Sequence, residues 1–271
     1  MKDLEIHPDF SRVVLKDNDK KVIPFEPTEK TIADQAFLST YDRWISTLDI
    51  NLNGSSHVFH PSCMHRVFNN SSFTSGGRIY GGWWQGLNSD ERKRISINGH
   101  LAVEIDFSAM QIGLLYASKR IDYFGTYGSD LYTLEGYEGE DDYRSFCKHC
   151  LVCMVGSVSK DKAIRGILGK LRGEPEKYSD LTDKEAKDIV SELETIHADI
   201  ADCFYQGLGM STQYQDSEIA MSILRYFTRK GVPVLSVHDS FIIERAYREE
   251  LEQVMLDAFS EATKGCTGRV A

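Results

Sequence analysis

The sequence predicts an α+β fold, a small antiparallel sheet backed by helices and interrupted by a long helical insertion. Three observations carry that prediction. Ile95-Ser96-Ile97 and the run from Leu101 to Phe107 flank Asn98-Gly99, a dipeptide suited to a tight primed turn. A second apolar hairpin surrounds Val237-His238-Asp239-Ser240. Between the two, apolar residues recur at helical spacing almost throughout.

Taken in order, residues 1–27 are mixed, polar and Pro-containing, and read as an arm or irregular strand. A helix follows over about 28–48, then a Gly/Ser/Asn-rich connection through 51–56. Residues 66–90 hold Gly76-Gly77 and Gly81-Gly82 with Tyr80, Trp83 and Trp84, and read as an ordered loop. In the strand 101–107, Leu101, Val103, Ile105 and Phe107 share one face, while Ala102, Glu104 and Asp106 share the other. The apolar face is expected to pack on helices, and both carboxylates to point into a cleft.

The helical tract divides into segments of about 109–119, 128–136, 142–154, 159–172 and 182–203. A further helix over about 215–230 ends at Gly231, with Pro233 beyond it. The hairpin 233–244 comes next. A final amphipathic helix turns Leu251, Val254, Met255, Ala258 and Phe259 inward.

A chain of 271 residues with 41% apolar and 27% charged residues buries a substantial core, as one large domain or two interleaved lobes. No apolar run approaches the roughly 20 residues of a membrane span, and the start lacks an apolar signal core, so a cytoplasmic location is expected. Cys147, Cys150 and Cys153 lie within one helix and cannot easily bridge each other, so reduced thiols and small apolar packing are expected. The net charge of −10 argues against nucleic-acid binding, because phosphate contacts need Lys and Arg. Cations concentrate at 92–94 and 160–172, acids at 135–142 and 180–194, so a locally basic channel is compatible with the acidic whole.

Asp106 and Asp239 stand on different strands. Together they supply oxygen ligands of the kind Mg2+ takes, and a pair of such ions stabilises both the attacking and the leaving oxygen in phosphoryl transfer. Alone, the two are weak evidence and read sooner as an exposed strand-end carboxylate and a turn cap. Their surroundings add more. Asp106-Phe107-Ser108, opening an amphipathic helix from Ala109 to Ala117, resembles motif A of the family A DNA polymerases. Val237-His238-Asp239 resembles their motif C, and the following Ser240-Phe241 is closer to the single-subunit phage-type RNA polymerases. Arg144 and Lys148, four residues apart on one helix face, resemble the start of motif B. Gly77-Arg78-Ile79-Tyr80, with Gln85 and Asn88, resembles the Gly-Arg loop before motif A, and the helix from Gln215 to Leu224 stands where that superfamily contacts the minor groove and primer terminus.

The resemblance runs from Gly77 to Glu244 in the superfamily's order. It implies a polymerase-type palm with a helical fingers insertion: a reduced thumb-like or accessory region over 1–75, palm over 76–121, fingers over 122–205 and palm again over 206–271. It implies Asp106 and Asp239 as the catalytic pair, holding two Mg2+ ions (or Mn2+) with the backbone carbonyl of Phe107. Glu104 is either a further metal ligand or a solvated edge residue. Arg144 and Lys148 would hold the triphosphate, and Arg78, Gln85 and Gln215 the primer or template. His238 either meets the primer terminus or packs as a hydrogen-bonded histidine.

The departures bear on the substrate. Motif B normally continues to a Tyr-Gly pair, whereas this helix runs Leu151-Val152-Cys153-Met154-Val155-Gly156-Ser157. Gln111 stands where the DNA enzymes place a Glu that excludes a ribose 2′-hydroxyl, and Ser240 stands where they carry a third carboxylate. Choice of sugar therefore stays open.

Two further groups complete the reading. His57, His60, Cys63 and His65 are either zinc ligands or a His-rich loop. Lys162 and Arg165, on a helix with Lys160, Lys170 and Arg172, are either a solvated face or a template contact. The expected function is a compact template-directed nucleotidyltransferase, a DNA polymerase or a primase or RNA polymerase making short primers. A non-catalytic nucleic-acid-binding module is the alternative, and a nuclease would need a denser carboxylate cluster. Expected partners are a DNA or RNA template and primer, nucleoside triphosphates and a processivity or replication partner, with no membrane. About 75 residues precede the Gly-Arg loop, which leaves little room for a full thumb.

Overall fold

A computed structural model describes residues 11–55, 62–128, 130–134, 141–178 and 181–271. It divides into two compact units, the first comprising Met1–Phe107, Gln213–Ala258 and Val270–Ala271, the second Ser108–Thr212 and Phe259–Arg269.

The first unit opens with β1 (Val13–Lys16) and β2 (Val22–Ile23), followed by α1 (Glu29–Ile45). Thr28 starts α1 through a reciprocal capping box with Thr31. The helix ends before β3 (Ile50–Leu52), and β4 (His65–Asn69) then pairs with β5 (Ser72–Tyr80). A short turn of helix, α2 (Ser89–Arg92), leads to β6 (Ile95–Ile97) and β7 (His100–Asp106). Asn98 and Gly99 between them both take positive φ, 52° and 80°, as a primed hairpin turn requires.

Residues 65–80 are therefore paired strands rather than an ordered loop. Gly76 and Gly77, at φ 80° and 79°, accommodate a shift in the β4–β5 register after Val67. A Cβ at Gly77 would stand 2.8 Å from the Arg66 guanidinium and 2.9 Å from the Phe68 ring. Two adjacent glycines punctuate a sequence like a loop, but here they let a strand bend closely past an arginine.

The second unit is helical among its described residues: α3 (Met110–Ser118), α4 (Tyr123–Thr126), α5 (Asp141–Gly156), α6 (Lys160–Gly173) and α7 (Asp183–Ile196). The expected helix at 128–136 is not formed where it is described. Gly128 takes φ 65° and residues 131–132 form a turn, while 129 and 135–136 lie outside the described residues. The expected helix 182–203 breaks at His197 and continues as a 3-10 turn over Ala198–Cys203. The His197 ring is buried, one nitrogen 2.8 Å from the Tyr116 hydroxyl and the other 3.0 Å from the Leu131 carbonyl. Around it, Phe146, Leu151, Met154, Ile167, Val190 and Leu193 form this unit's core.

The chain returns through α8 (Gly209–Lys230) to β8 (Val234–Val237), β9 (Ser240–Glu244) and α9 (Arg248–Thr263). Two sheets result in the first unit, ordered β2-β1-β4-β5 and β3-β6-β7-β9-β8. The second sheet is antiparallel throughout. Its strand β9 is covered on both faces, since Ser240, Phe241, Ile242 and Ile243 are all buried, which accounts for its unbroken apolar run.

Arg66 ties this unit together from a fully buried position. Its guanidinium donates to the Gly77 carbonyl at 2.8 Å, Asp34 of α1 at 2.6 Å, and Ser217 and Glu218 of α8 at 2.8 and 2.7 Å. Among the described residues no helix is long and apolar enough to cross a membrane.

Candidate functional site

Neighbouring strands bring the two aspartates together. In the β7–β9 ladder Asp106 lies opposite Ser240, the residue after Asp239. The backbone amide of Phe107 donates to the Asp239 carbonyl at 3.2 Å, extending the pairing to the tip of the turn. Asp106 is exposed and Asp239 half-buried, while Ile105 and Phe107 anchor the strand beneath.

Backbone strain accompanies both. His238 and Asp239 form a two-residue β8–β9 turn with His238 at φ 61°, and the chain leaves β7 for α3 through Ala109 at φ 54°. A left-handed conformation costs a residue with a side chain about 1–2 kcal/mol, and such strain concentrates at functional sites.

Glu104 is engaged by the protein. Its Oε1 accepts from the Ser240 hydroxyl at 2.6 Å and its Oε2 from Arg92 Nε at 2.7 Å. Ser240 thus holds a neighbouring carboxylate where the sequence reading noted only a missing one.

Arg78 of β5 donates from Nε and Nη2 to one oxygen of Asp216, at 3.0 and 2.7 Å. Asp216, on α8, is 1% exposed, and its other oxygen is buried without a hydrogen-bond partner. Burial pushes the Asp216 carboxyl up to about 6, against the pull of Arg78 and with Asp239 adding to the rise. His238 stands edge-on to Tyr80, ring centres 5.4 Å apart, and its Nδ1 is buried without a partner. Burial lowers the His238 pKa, Arg78 lowers it further, and Asp239 opposes them.

The remaining candidates fall in different places. The Gln85 amide is spent inside the first unit, donating to the carbonyls of Ile79 and Ser236 at 3.0 and 3.1 Å and accepting from Gly82 N–H at 3.2 Å. Gln215 is exposed on α8. In the second unit Arg144 and Lys148 lie on one face of α5, both over the Tyr132 ring, at 5.3 and 5.9 Å from its centre. Arg144 also pairs with Asp130. Gln111 is half-buried in the first turn of α3, and Lys162 and Arg165 are exposed on α6. Cys147 and Cys150 are fully buried, and burial pushes the Cys147 thiol up to about 12. His57 and His60 of the zinc reading lie outside the described residues.

Sequence reasoning missed Asp216. A signal existed: Asp216, Ile219, Ala220 and Ile223 fall at the spacing of one apolar helix face, and all are buried. An acid in such a stripe needs a buried cation.

Among the described residues no three His, Cys, Asp or Glu side chains cluster in a manner that holds a metal ion. Two carboxylates suit Mg2+, which is commonly bound by one or two carboxylates together with substrate phosphates and water. The donor set of Asp106, Asp239 and a backbone carbonyl fits that pattern.

No protein-family model matches this sequence, and no curated protein matches it. Among solved structures, the chain is similar to the POL domain of Pol1 from M. smegmatis, in complex with DNA primer-template and dNTP, with a TM-score of 0.50 and 13% identity. The match covers 89% of this chain and 51% of that one, so the chain spans about half its length. At that identity the likeness is one of fold.

Proposed function

We propose that the chain is a template-directed nucleotidyltransferase of the family A polymerase type, extending a nucleic-acid strand from nucleoside triphosphates. The observation that carries this reading is the placing of Asp106 and Asp239 side by side at the open end of β7 and the β8–β9 turn. The fold likeness to a POL domain supports it.

Asp106, Asp239 and the Phe107 carbonyl would hold the divalent ions, Mg2+ or Mn2+. Bound there, such ions lower the pKa of a 3′-hydroxyl and stabilise the leaving pyrophosphate. Glu104, tied to Arg92 and Ser240, keeps the strand ends in register beside them. On the helical unit, Arg144 and Lys148 present two cations on one face, a pattern suited to a triphosphate. Gln215, Lys162 and Arg165 are exposed and suited to contacts with template or primer. In this reading the strands β6 to β9 form the palm and α5 to α7 the fingers. Gln111, a neutral amide, is assigned the choice between deoxyribose and ribose.

Primer extension and unprimed synthesis on defined templates, with dNTPs or NTPs, test the proposal. Asp106→Ala and Asp239→Ala are each expected to lower incorporation by at least about 100-fold, the scale on which one transition-state-stabilising group acts. Their melting temperatures should stay close to wild type, because neither side chain is buried. Equal product from all three proteins would sink the reading. Product from NTPs without a primer would make the protein a primase.

A further inference from the structure

Arg78 is a cation of the first unit whose charge acts on the β8–β9 turn. It lies on β5 two residues before Tyr80, whose ring meets His238 at 5.4 Å. Its charge acts on both Asp216 and Asp239. With its side chain only 18% exposed, it needs a carboxylate partner at close range. Two are at hand, and the structure gives it to Asp216, through two N–H groups on a single oxygen.

We propose that Asp216 is a positioning residue for the carboxylate site: by holding the Arg78 guanidinium in a buried ion pair, it keeps that cation off Asp239 and leaves Asp239 to a divalent ion. The inference rests on the assignment of Asp239 as a metal ligand made above.

The charges explain the arrangement. Arg78 and Asp216 cancel, so the Asp239 carboxylate keeps its negative charge for an incoming cation. Without Asp216, Asp239 is the other carboxylate whose charge acts on the guanidinium, and a guanidinium bonded to a carboxylate competes with a metal for the same oxygens. Even an unmoved Arg78 would then repel the metal, uncompensated and screened little by water. Asp216 is suited to its task because it is out of reach of solvent and metal alike. Its second oxygen, buried without a hydrogen-bond partner, shows that the side chain is placed for Arg78 rather than for a network of its own.

The test is Mn2+ binding to the full chain without nucleotide, read from the electron paramagnetic resonance of the free ion. Asp239→Ala defines the binding that belongs to this site. Asp216→Ala should weaken that binding by about tenfold, the worth of one charge-assisted bond at the contested carboxylate. The double variant Asp216→Ala with Arg78→Ala should restore it to within about twofold of wild type, because double substitutions expose such coupling directly. Asp216→Asn, which keeps the shape, serves in the same role if the alanine variant does not fold.

An unchanged affinity in Asp216→Ala overturns the proposal, as does a double variant as weak as the single one, since either result leaves Asp216 a structural residue. No Mn2+ binding sensitive to Asp239→Ala in the wild type overturns it as well. Primer extension run alongside keeps the two readings apart. Restoration of Mn2+ binding without any incorporation by the wild type removes the polymerase reading and leaves this one standing. Incorporation without restoration does the reverse.

Discussion

Beside the β8–β9 turn one arginine acts on two carboxylates, and burial decides how they share it. Asp216 is withdrawn from water and its carboxyl is raised to about 6, chiefly by that burial. The sign of its effect on stability follows. An acid whose pKa is higher folded than unfolded binds its proton more tightly in the folded state, so its contribution is fully present below about pH 4 and is lost as pH rises through about 6. For the metal-free protein we expect Asp216→Asn to flatten that slope, removing at most about 3 kcal/mol of change between pH 4 and 7. Urea midpoints of wild type and variant across that range measure it, and parallel profiles would contradict it. The strands and turn that carry Asp106 and Asp239 were legible in the sequence from their apolar alternation and the turn residues between them. The pairing of Arg78 with Asp216 was not, because the two lie on β5 and α8 and only folding joins them. Gln85 shows the converse: its amide is consumed by three backbone bonds that no local pattern announces.

The hairpins flanking the helical tract were readable from alternation and from Asn98-Gly99, since turn chemistry and strand period are local properties. The β4–β5 hairpin was not, because its paired glycines imitate a loop. Hardest to see is the short C-terminal pairing. The end of β7 is bonded to β9 on one side and to residues 270–271 on the other: Asp106 N–H donates to the Ala271 carbonyl at 3.1 Å and Ala271 N–H to the Asp106 carbonyl at 2.9 Å. Two residues carry no period, so no sequence signal marks them as a strand. Their position gives them leverage, since the backbone of Asp106 is gripped from both sides. Ala271→Pro removes the Ala271 donor. We expect it to cost about 1 kcal/mol of stability, the worth of one hydrogen bond. Nucleotide incorporation should fall more than that suggests, by about tenfold, because small misplacements of a reacting group are costly. Steady-state incorporation measured with urea unfolding checks both. A loss of stability with full activity would show that Asp106 is held by β9 alone.

Charge belongs to the whole molecule, and under the proposed function it sets how the protein should meet a nucleic acid. With 31 Lys and Arg against 41 Asp and Glu, acids are numerous enough to occupy many of the cations. The ion pairs bear this out: Arg78 is taken by Asp216, Arg144 by Asp130, Lys160 by Glu194, Lys170 by Glu174 and Arg172 by Asp183. Among the described residues Lys162 and Arg165 enter no ion pair, nor do Lys184 and Lys187 on the same helical unit, and such exposed cations are free to replace counterions on a phosphate backbone. Each phosphate contact steepens the salt dependence of duplex binding by about 0.9 in a log–log plot. Six to ten contacts would cost roughly 1,000- to 100,000-fold in affinity between 50 and 200 mM salt. Two to four contacts, as expected if Lys162 and Arg165 meet the strand with one or two neighbours, correspond to no more than about 100-fold over the same range. The anisotropy of a labelled primer-template, titrated at several salt concentrations, measures the slope. A loss of 1,000-fold or more would mean that the strand meets a wider set of cations than Lys162, Arg165 and their neighbours. A shallow slope would mean that, under the proposed function, the protein meets its template through a few contacts.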